Sequence, residues 1–97
     1  MYREGRKWVG REFVFYVARG DGQGRKIGYV VSRKVGGAVV RNRIKRYIRE
    51  IYRTHRSDLA PDAHIVLVAR PSSAALDYRQ CEHSIRRLFR QGDDPGE

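Results

Sequence analysis

From Val39 to about Arg56 the apolar residues recur at helical spacing, and this segment limits the possible folds more than any other. At about 100° per residue, Val40, Ile44, Tyr47, Ile48, Ile51 and His55 gather on one side of a helix. Asn42, Lys45, Arg46, Arg49, Arg53 and Arg56 gather on the other, with Glu50 the one acid in the segment. Such a helix must lie on an apolar surface and turn a cationic ridge to the outside. With 97 residues there is chain for one core and too little for two, so that surface must come from the same domain.

Arg11 to Ala18 reads Arg-Glu-Phe-Val-Phe-Tyr-Val-Ala, a density of aromatic and branched residues that predicts a strand covered on both faces or nearly so. Phe13, Phe15 and Val17 share one face; Val14 and Tyr16 share the other. Residues 19–24 have the composition of a turn, and Lys26 to Ser32 reads as a second strand, which together suggest a hairpin. Lys34-Val35-Gly36-Gly37-Ala38 breaks that pattern before the helix. Beyond a loop at residues 58–62, Ile65 to Ala69 is a continuously apolar run, typical of a buried central strand. Asp77 can cap a last helix whose stripe is Cys81, Ile85, Leu88 and Phe89, with Arg86, Arg87 and Arg90 pointing outward. No repeat or linker interrupts the chain. The expectation is a single α+β domain over residues 1–91, a sheet carrying helices, followed by a polar tail at 92–97.

Charge narrows the partner. Twenty-one Lys and Arg against 11 Asp and Glu leave +10, with a pI near 10.5, and such a surplus implies a polyanion. Only Lys7, Lys26, Lys34 and Lys45 are lysines; the rest are arginines, whose planar fork matches phosphate and whose face stacks on bases. Nucleic acid therefore outranks a membrane surface, for which an exposed apolar helix face would be needed. Cys81 is alone, which rules out an intrachain disulfide and a cysteine metal set and fits a reducing compartment. No apolar run approaches the roughly 20 residues of a membrane span, and Met1-Tyr2-Arg3-Glu4 opens no signal-peptide core, so a cytoplasmic location is expected.

Between Arg33 and Arg56 lie nine basic residues and one acid, a net of +8 in 24 residues. Like charges one helical turn apart, such as Lys45 and Arg49, cost an isolated helix roughly 0.2 to 0.5 kcal/mol per pair, so a bound anion is the natural relief. Gly36 and Gly37 precede the helix, where backbone N–H groups can hold a phosphate; a plain turn fits them equally well. Val14 and Tyr16, with Tyr29 or Val30 across the hairpin, offer either a base-stacking platform or ordinary core packing, and periodicity alone favours the core. Trp8 reads as a packing anchor or a stacking group. An enzyme would need a paired acid and base, an activated nucleophile or a metal cage. Asp58, Asp62 and His64 flank a loop and read better as turn residues, and His55 and His83 as packed or surface histidines.

The stretch Ser32-Arg33-Lys34-Val35-Gly36-Gly37-Ala38-Val39-Val40-Arg41-Asn42-Arg43-Ile44-Lys45-Arg46-Tyr47-Ile48-Arg49-Glu50 closely resembles the signature of the bacterial ribonuclease P protein family. The resemblance continues through Glu12 to Tyr16, Ile27 to Ser32 and Ile65 to Pro71, nearly the whole chain. It implies an α/β sandwich related to a ribosomal-protein domain, with a four-stranded sheet, a strand of its own near Arg25 to Ser32, and a left-handed βαβ crossover around the signature helix, against the usual hand. It further implies that Arg41, Asn42, Arg43, Lys45, Arg46 and Arg49 contact a catalytic RNA. Arg33, Lys34 and Arg53 extend that set through the charge concentration. Val14 and Tyr16 would face the 5′ leader of precursor tRNA in a cleft between sheet and helices. The family usually begins with a further helix; here Tyr2-Arg3-Glu4-Gly5 stands where that helix would be ending, so it is expected to be missing or shortened. His64 stands where the family often has Asp, a strand-end change without functional weight.

The implied function is the protein subunit of the ribonuclease P ribonucleoprotein, promoting tRNA 5′-end maturation with ribonuclease P RNA and precursor tRNA as partners. No membrane or small-molecule substrate is expected, and no cofactor bound by the protein alone, Mg2+ being held mainly by the RNA. The rival readings are a ribosomal or other structured-RNA binding protein and a self-sufficient nuclease.

Overall fold

A computed structural model describes residues 5–19 and 24–92. In chain order they form β1 (Arg6–Val9), β2 (Phe13–Arg19), β3 (Lys26–Val30), α1 (Ala38–His55), β4 (Ala63–Ala69) and α2 (Tyr78–Gly92), with 3-10 turns at Arg56–Asp58 and Pro71–Ala75. The continuously apolar segment is indeed the sheet's centre. Along β4, Ala63, Ile65, Leu67 and Ala69 are buried while His64, Val66 and Val68 are half-buried.

The sheet runs β1-β2-β4-β3, with β2 antiparallel to β4 and β3 parallel to it. This overturns the expected hairpin. β2 and β3 are neighbours in sequence but not in space, because β4 inserts between them. A strand apolar on both faces is stable only with hydrogen-bonded neighbours on both edges, and β4 takes one from each side. Parallel β3 and β4 require a crossover, and α1 supplies it, which is the βαβ unit that the resemblance implies. β1 is the fourth strand that the resemblance implies and the residue pattern does not place: Arg6-Lys7-Trp8-Val9 carries two cations, yet pairs with β2 from Arg6↔Val17 to Val9↔Val14 as an edge strand.

The core lies on one face of this sheet. Phe13 and Phe15 retain 1% and 0% of their exposure and pack with Ile44, Ile48 and Ile51 of α1 and with Ile85, Leu88 and Phe89 of α2. The ring centroids of Phe15 and Phe89 are 5.6 Å apart, and those of Trp8 and Phe15 6.0 Å, so Trp8 is a packing anchor. Both helices cover this face, and no described element covers the other. The expectation that β2 is covered on both faces therefore fails: Val14 is half-buried and Tyr16 is 39% exposed. Among the described residues both helices place their apolar stripes on the Phe13 and Phe15 side.

The helices are fixed differently. Asp77 Oδ1 accepts from the Gln80 N–H at 2.8 Å and Gln80 Oε1 accepts from the Asp77 N–H at 2.9 Å, a reciprocal cap that starts α2 as expected. Helix α1 begins one residue earlier than its periodicity suggests, behind Gly37, with no side-chain cap and no acid in its first turn. Gly36 must be small, since a Cβ there would stand 3.0 Å from the Val40 Cβ. The α1–α2 seam uses the half-buried residues at the margin of the α1 stripe: Tyr47 meets Tyr78 edge-on at 5.5 Å, and His55 Nε2 lies 2.7 Å from Glu82 Oε2. Residues 1–4, where the end of a first helix was expected, lie outside the described residues, as do 20–23 of the turn and 93–97 of the tail.

Candidate nucleic-acid interface

The cations of the signature do not form one flat array. Arg33 and Lys34 are exposed in the turn before α1, closed by the Val35 N–H to Ser32 O at 3.0 Å and the Gly36 N–H to Arg33 O at 3.2 Å. Asn42, Arg46, Arg49 and Arg53 are exposed on the side of α1 away from the core, as the helical period requires. Arg41, Arg43 and Lys45 are half-buried.

Several of these side chains are held by the fold. Arg41 Nε donates to Gly36 O at 3.1 Å, bracing the turn. Arg43 Nη2 donates to Ala74 O at 2.8 Å and so ties α1 to the 3-10 turn at Pro71–Ala75, with its Nε buried. Arg49 Nη1 donates to the Tyr29 hydroxyl at 3.1 Å, joining α1 to β3. Arg53 pairs with Glu50, which raises the pKa of its guanidinium through a hydrogen bond and the carboxylate charge. Arg46 and Asn42, with Lys34 and Arg33 below them, are left facing outward as a strip. The uncapped start of α1 lies between these two groups and adds the partial positive charge of its N–H groups.

The open face of the sheet is the second surface. The strand register aligns Val9, Val14, Val68 and Val30 in one row and Lys7, Tyr16, Val66 and Gly28 in the next. Val9 is 62% and Val30 49% exposed. The Lys7 ammonium lies 5.8 Å from the centre of the Tyr16 ring, a cation over an aromatic face. Gly28 leaves the Tyr16 row without a side chain at its β3 end. A hollow of about 380 Å³ opens beside Tyr16, lined by Lys7, Ala18, His64 and Val66 among others. Tyr16 thus faces neither core nor hairpin partner. Tyr29, offered as its companion, points to the other face, level with Phe15 and Leu67.

Among the described residues no group of three or more His, Cys, Asp and Glu side chains could hold a metal ion. Four of the acids are engaged elsewhere: Glu12 accepts from the Ser84 hydroxyl, Glu50 pairs with Arg53, Asp77 caps α2 and Glu82 meets His55. Cys81 is buried, and burial first, then Asp77, pushes its thiol up to about 12, which removes it as a nucleophile. No helix among the described residues is long and apolar enough to cross a membrane.

A family model described as Ribonuclease P matches residues 1–92. The chain belongs to the ribonuclease P protein family. The ribonuclease P protein component of Listeria monocytogenes serotype 4b is 34% identical over 93 residues, covering 95% of this chain and 78% of that protein. That of Dictyoglomus thermophilum is 45% identical over 90 residues, covering 90% and 74%. The solved structure of the Staphylococcus aureus RNase P protein superposes with a TM-score of 0.81 at 31% identity, over 90% of this chain and 80% of that one. A four-stranded mixed sheet with two helices is therefore the fold this ribonuclease P protein shares with its relatives. Lys7 and β1 are what the sequence pattern did not reveal; two apolar residues after two cations are too short a run to signal a strand, and only the pairing with β2 brings Lys7 to Tyr16.

Proposed function

We propose that this chain is the RNA-binding subunit of a ribonucleoprotein that matures tRNA 5′ ends, and that the RNA, not the protein, carries the catalytic centre. The observation that supports it best is the separation of two surfaces on one small scaffold: a phosphate-binding strip on α1 and its preceding turn, and an aromatic, cation-flanked platform on the open sheet face. In this reading Arg33, Lys34, Arg41, Asn42, Arg43, Lys45, Arg46, Arg49 and Arg53 engage ribonuclease P RNA. Arg41 and Arg43 do so while bracing the helix, and Arg46 with Asn42 do so from exposed positions. Val14 and Tyr16 receive unpaired nucleotides of the precursor's 5′ leader, with a base stacked on Tyr16 and Lys7 beside it for the adjoining phosphate.

The chemistry left to the protein is positioning and charge. Its described carboxylates do not gather into a two-metal cage for phosphoryl transfer, so the divalent ions of the reaction are assigned to the RNA. A chain of charge +10 lowers repulsion between substrate and RNA and reduces the metal concentration needed for assembly. The cytoplasm, where tRNA precursors arise, is the corresponding location.

The reading is tested by recovering the chain from cells with its bound RNA and sequencing that RNA. Enrichment of ribonuclease P RNA is expected. Enrichment of ribosomal RNA instead, with none of the former, would replace this reading with that of a ribosomal structured-RNA binder.

A further inference from the structure

Helix α2 carries a second cationic ridge that the signature does not include. Its buried stripe is Cys81, Ile85, Leu88 and Phe89. At 100° per residue, the opposite side collects Arg79, His83, Arg86, Arg87 and Arg90 within a sector of about 100°. Arg79, His83, Arg87 and Arg90 are exposed, and Arg86 is half-buried. The one acid of the helix, Glu82, lies at the margin of this sector and is taken by His55 of α1. The ridge is therefore uncompensated within its own helix. Arg86 and Arg90, four apart, and Arg87 and Arg90, three apart, stand one turn from each other and repel.

The shape of the surface fits an extended polyanion better than a single ion. A shallow groove of about 270 Å³ runs among Arg79, Glu82, His83, Arg86, Arg87 and Arg90. His83 and Arg87 also line a groove of about 430 Å³ that leads to Arg11 at the β1–β2 turn, so the positive track continues beyond the helix. From Arg79 to Arg90 the helix rises about 16 Å at roughly 1.5 Å per residue. That length spans several successive phosphates of one strand. Arginine supplies four of the five side chains of the ridge and presents a fork to each phosphate.

We propose that the outward face of α2 is a second phosphate-backbone contact, so that a structured RNA is held by two helices of this protein and not by the signature helix alone. α1 and α2 pack side by side on the same sheet face, and both ridges turn away from it. The proposal rests on the RNA-binding reading above and adds to it a surface outside the signature, with Arg79, Arg86, Arg87 and Arg90 as the contacting groups and Arg11 as its extension.

The test compares the full chain with two paired variants, Arg87→Gln with Arg90→Gln on α2 and Arg46→Gln with Arg49→Gln on α1. Binding to a ribonuclease P RNA transcript is measured from about 50 to about 200 mM salt. Each neutralised phosphate contact contributes roughly 0.9 to the slope of log affinity against log salt, so the α2 pair is expected to flatten the slope by about 1.5 to 2. That corresponds to roughly ten-fold less loss of affinity over the fourfold salt range. Arg87→Lys with Arg90→Lys keeps the charge and should restore most of the slope. A slope equal to that of the unchanged chain, or an affinity loss without flattening, in a folded α2 variant overturns the second contact. If the α1 pair flattens the slope in the same experiment, the RNA-binding reading stands without it; if neither pair does, that reading falls too.

Discussion

Arg43 and Arg46 stand three residues apart in α1 and should fail in different ways when shortened to alanine. Arg43 Nη2 donates to Ala74 O at 2.8 Å from a half-buried position, a charge-assisted bond between segments 31 residues apart. Removing it takes a donor from that carbonyl and withdraws the stem that covers the seam, at a cost of about 1.5 to 3 kcal/mol. In a domain of this size each kcal/mol shifts the melting temperature by roughly 4 to 8 °C, so Arg43→Ala should melt roughly 6 to 24 °C lower. Arg46 is exposed and has no such tie, so Arg46→Ala should change stability by less than about 0.5 kcal/mol. Its effect should instead be on RNA, where one lost phosphate contact lowers the salt slope by about 0.9. Thermal melts followed by circular dichroism, with salt-dependent binding of the same preparations, separate the two. An Arg43→Ala variant that melts with the unchanged chain would show that the Ala74 contact carries no weight in the fold.

The platform and the buried thiol give two further expectations. Tyr16→Ala should weaken binding of precursor tRNA by roughly 1 to 3 kcal/mol and leave mature tRNA nearly unaffected, since the stacked base belongs to the leader; equal loss for both RNAs in equilibrium binding would remove Tyr16 from the leader site. Cys81, pushed up to about 12 from an ordinary value near 9, should resist iodoacetamide in the folded chain and react once urea exposes it. Because the folded thiol is the weaker acid, it contributes stability fully below about pH 9, and that stability should fall as pH rises from about 9 through 12, which urea titrations across that range would register. Prompt labelling of the native chain would contradict its burial.

The parts of the fold written in local periodicity were legible, and those that depend on distant partners were not. α1 and α2 announce themselves through stripes of period 3.6, and the Asp77 cap through its position before the second stripe. β4 is readable because five apolar residues in a row have few other uses. What the pattern could not give is which strands flank β4. Pairing β2 with β3 is the shortest connection, and only the need of β4 for two neighbours defeats it. β1 is illegible because it offers only one core-facing side chain, Trp8, in four residues on an edge that needs little burial.

At the candidate interface the sequence marked the cations but not their duties. Nothing near Arg43 indicates that it reaches Ala74, and nothing near Arg49 indicates that it reaches the Tyr29 hydroxyl. Periodicity alone favours the core for Tyr16, and its exposure follows only from both helices lying on the opposite side. The α2 ridge is visible in the sequence as Arg86, Arg87 and Arg90, and the exposure of Arg79 and His83 on the same side of the helix completes it.

Division of labour between protein and RNA is the central claim, and reconstituted cleavage tests it most directly. Precursor tRNA is incubated with ribonuclease P RNA alone, with the purified protein alone, and with both, across a magnesium series. The protein alone should be inactive, the RNA alone active only at high magnesium, and the two together active at low magnesium, because the cationic chain takes over screening that the metal otherwise provides. Cleavage by the protein alone that survives nuclease removal of any bound RNA would contradict the account, since it would place the catalytic centre in the protein.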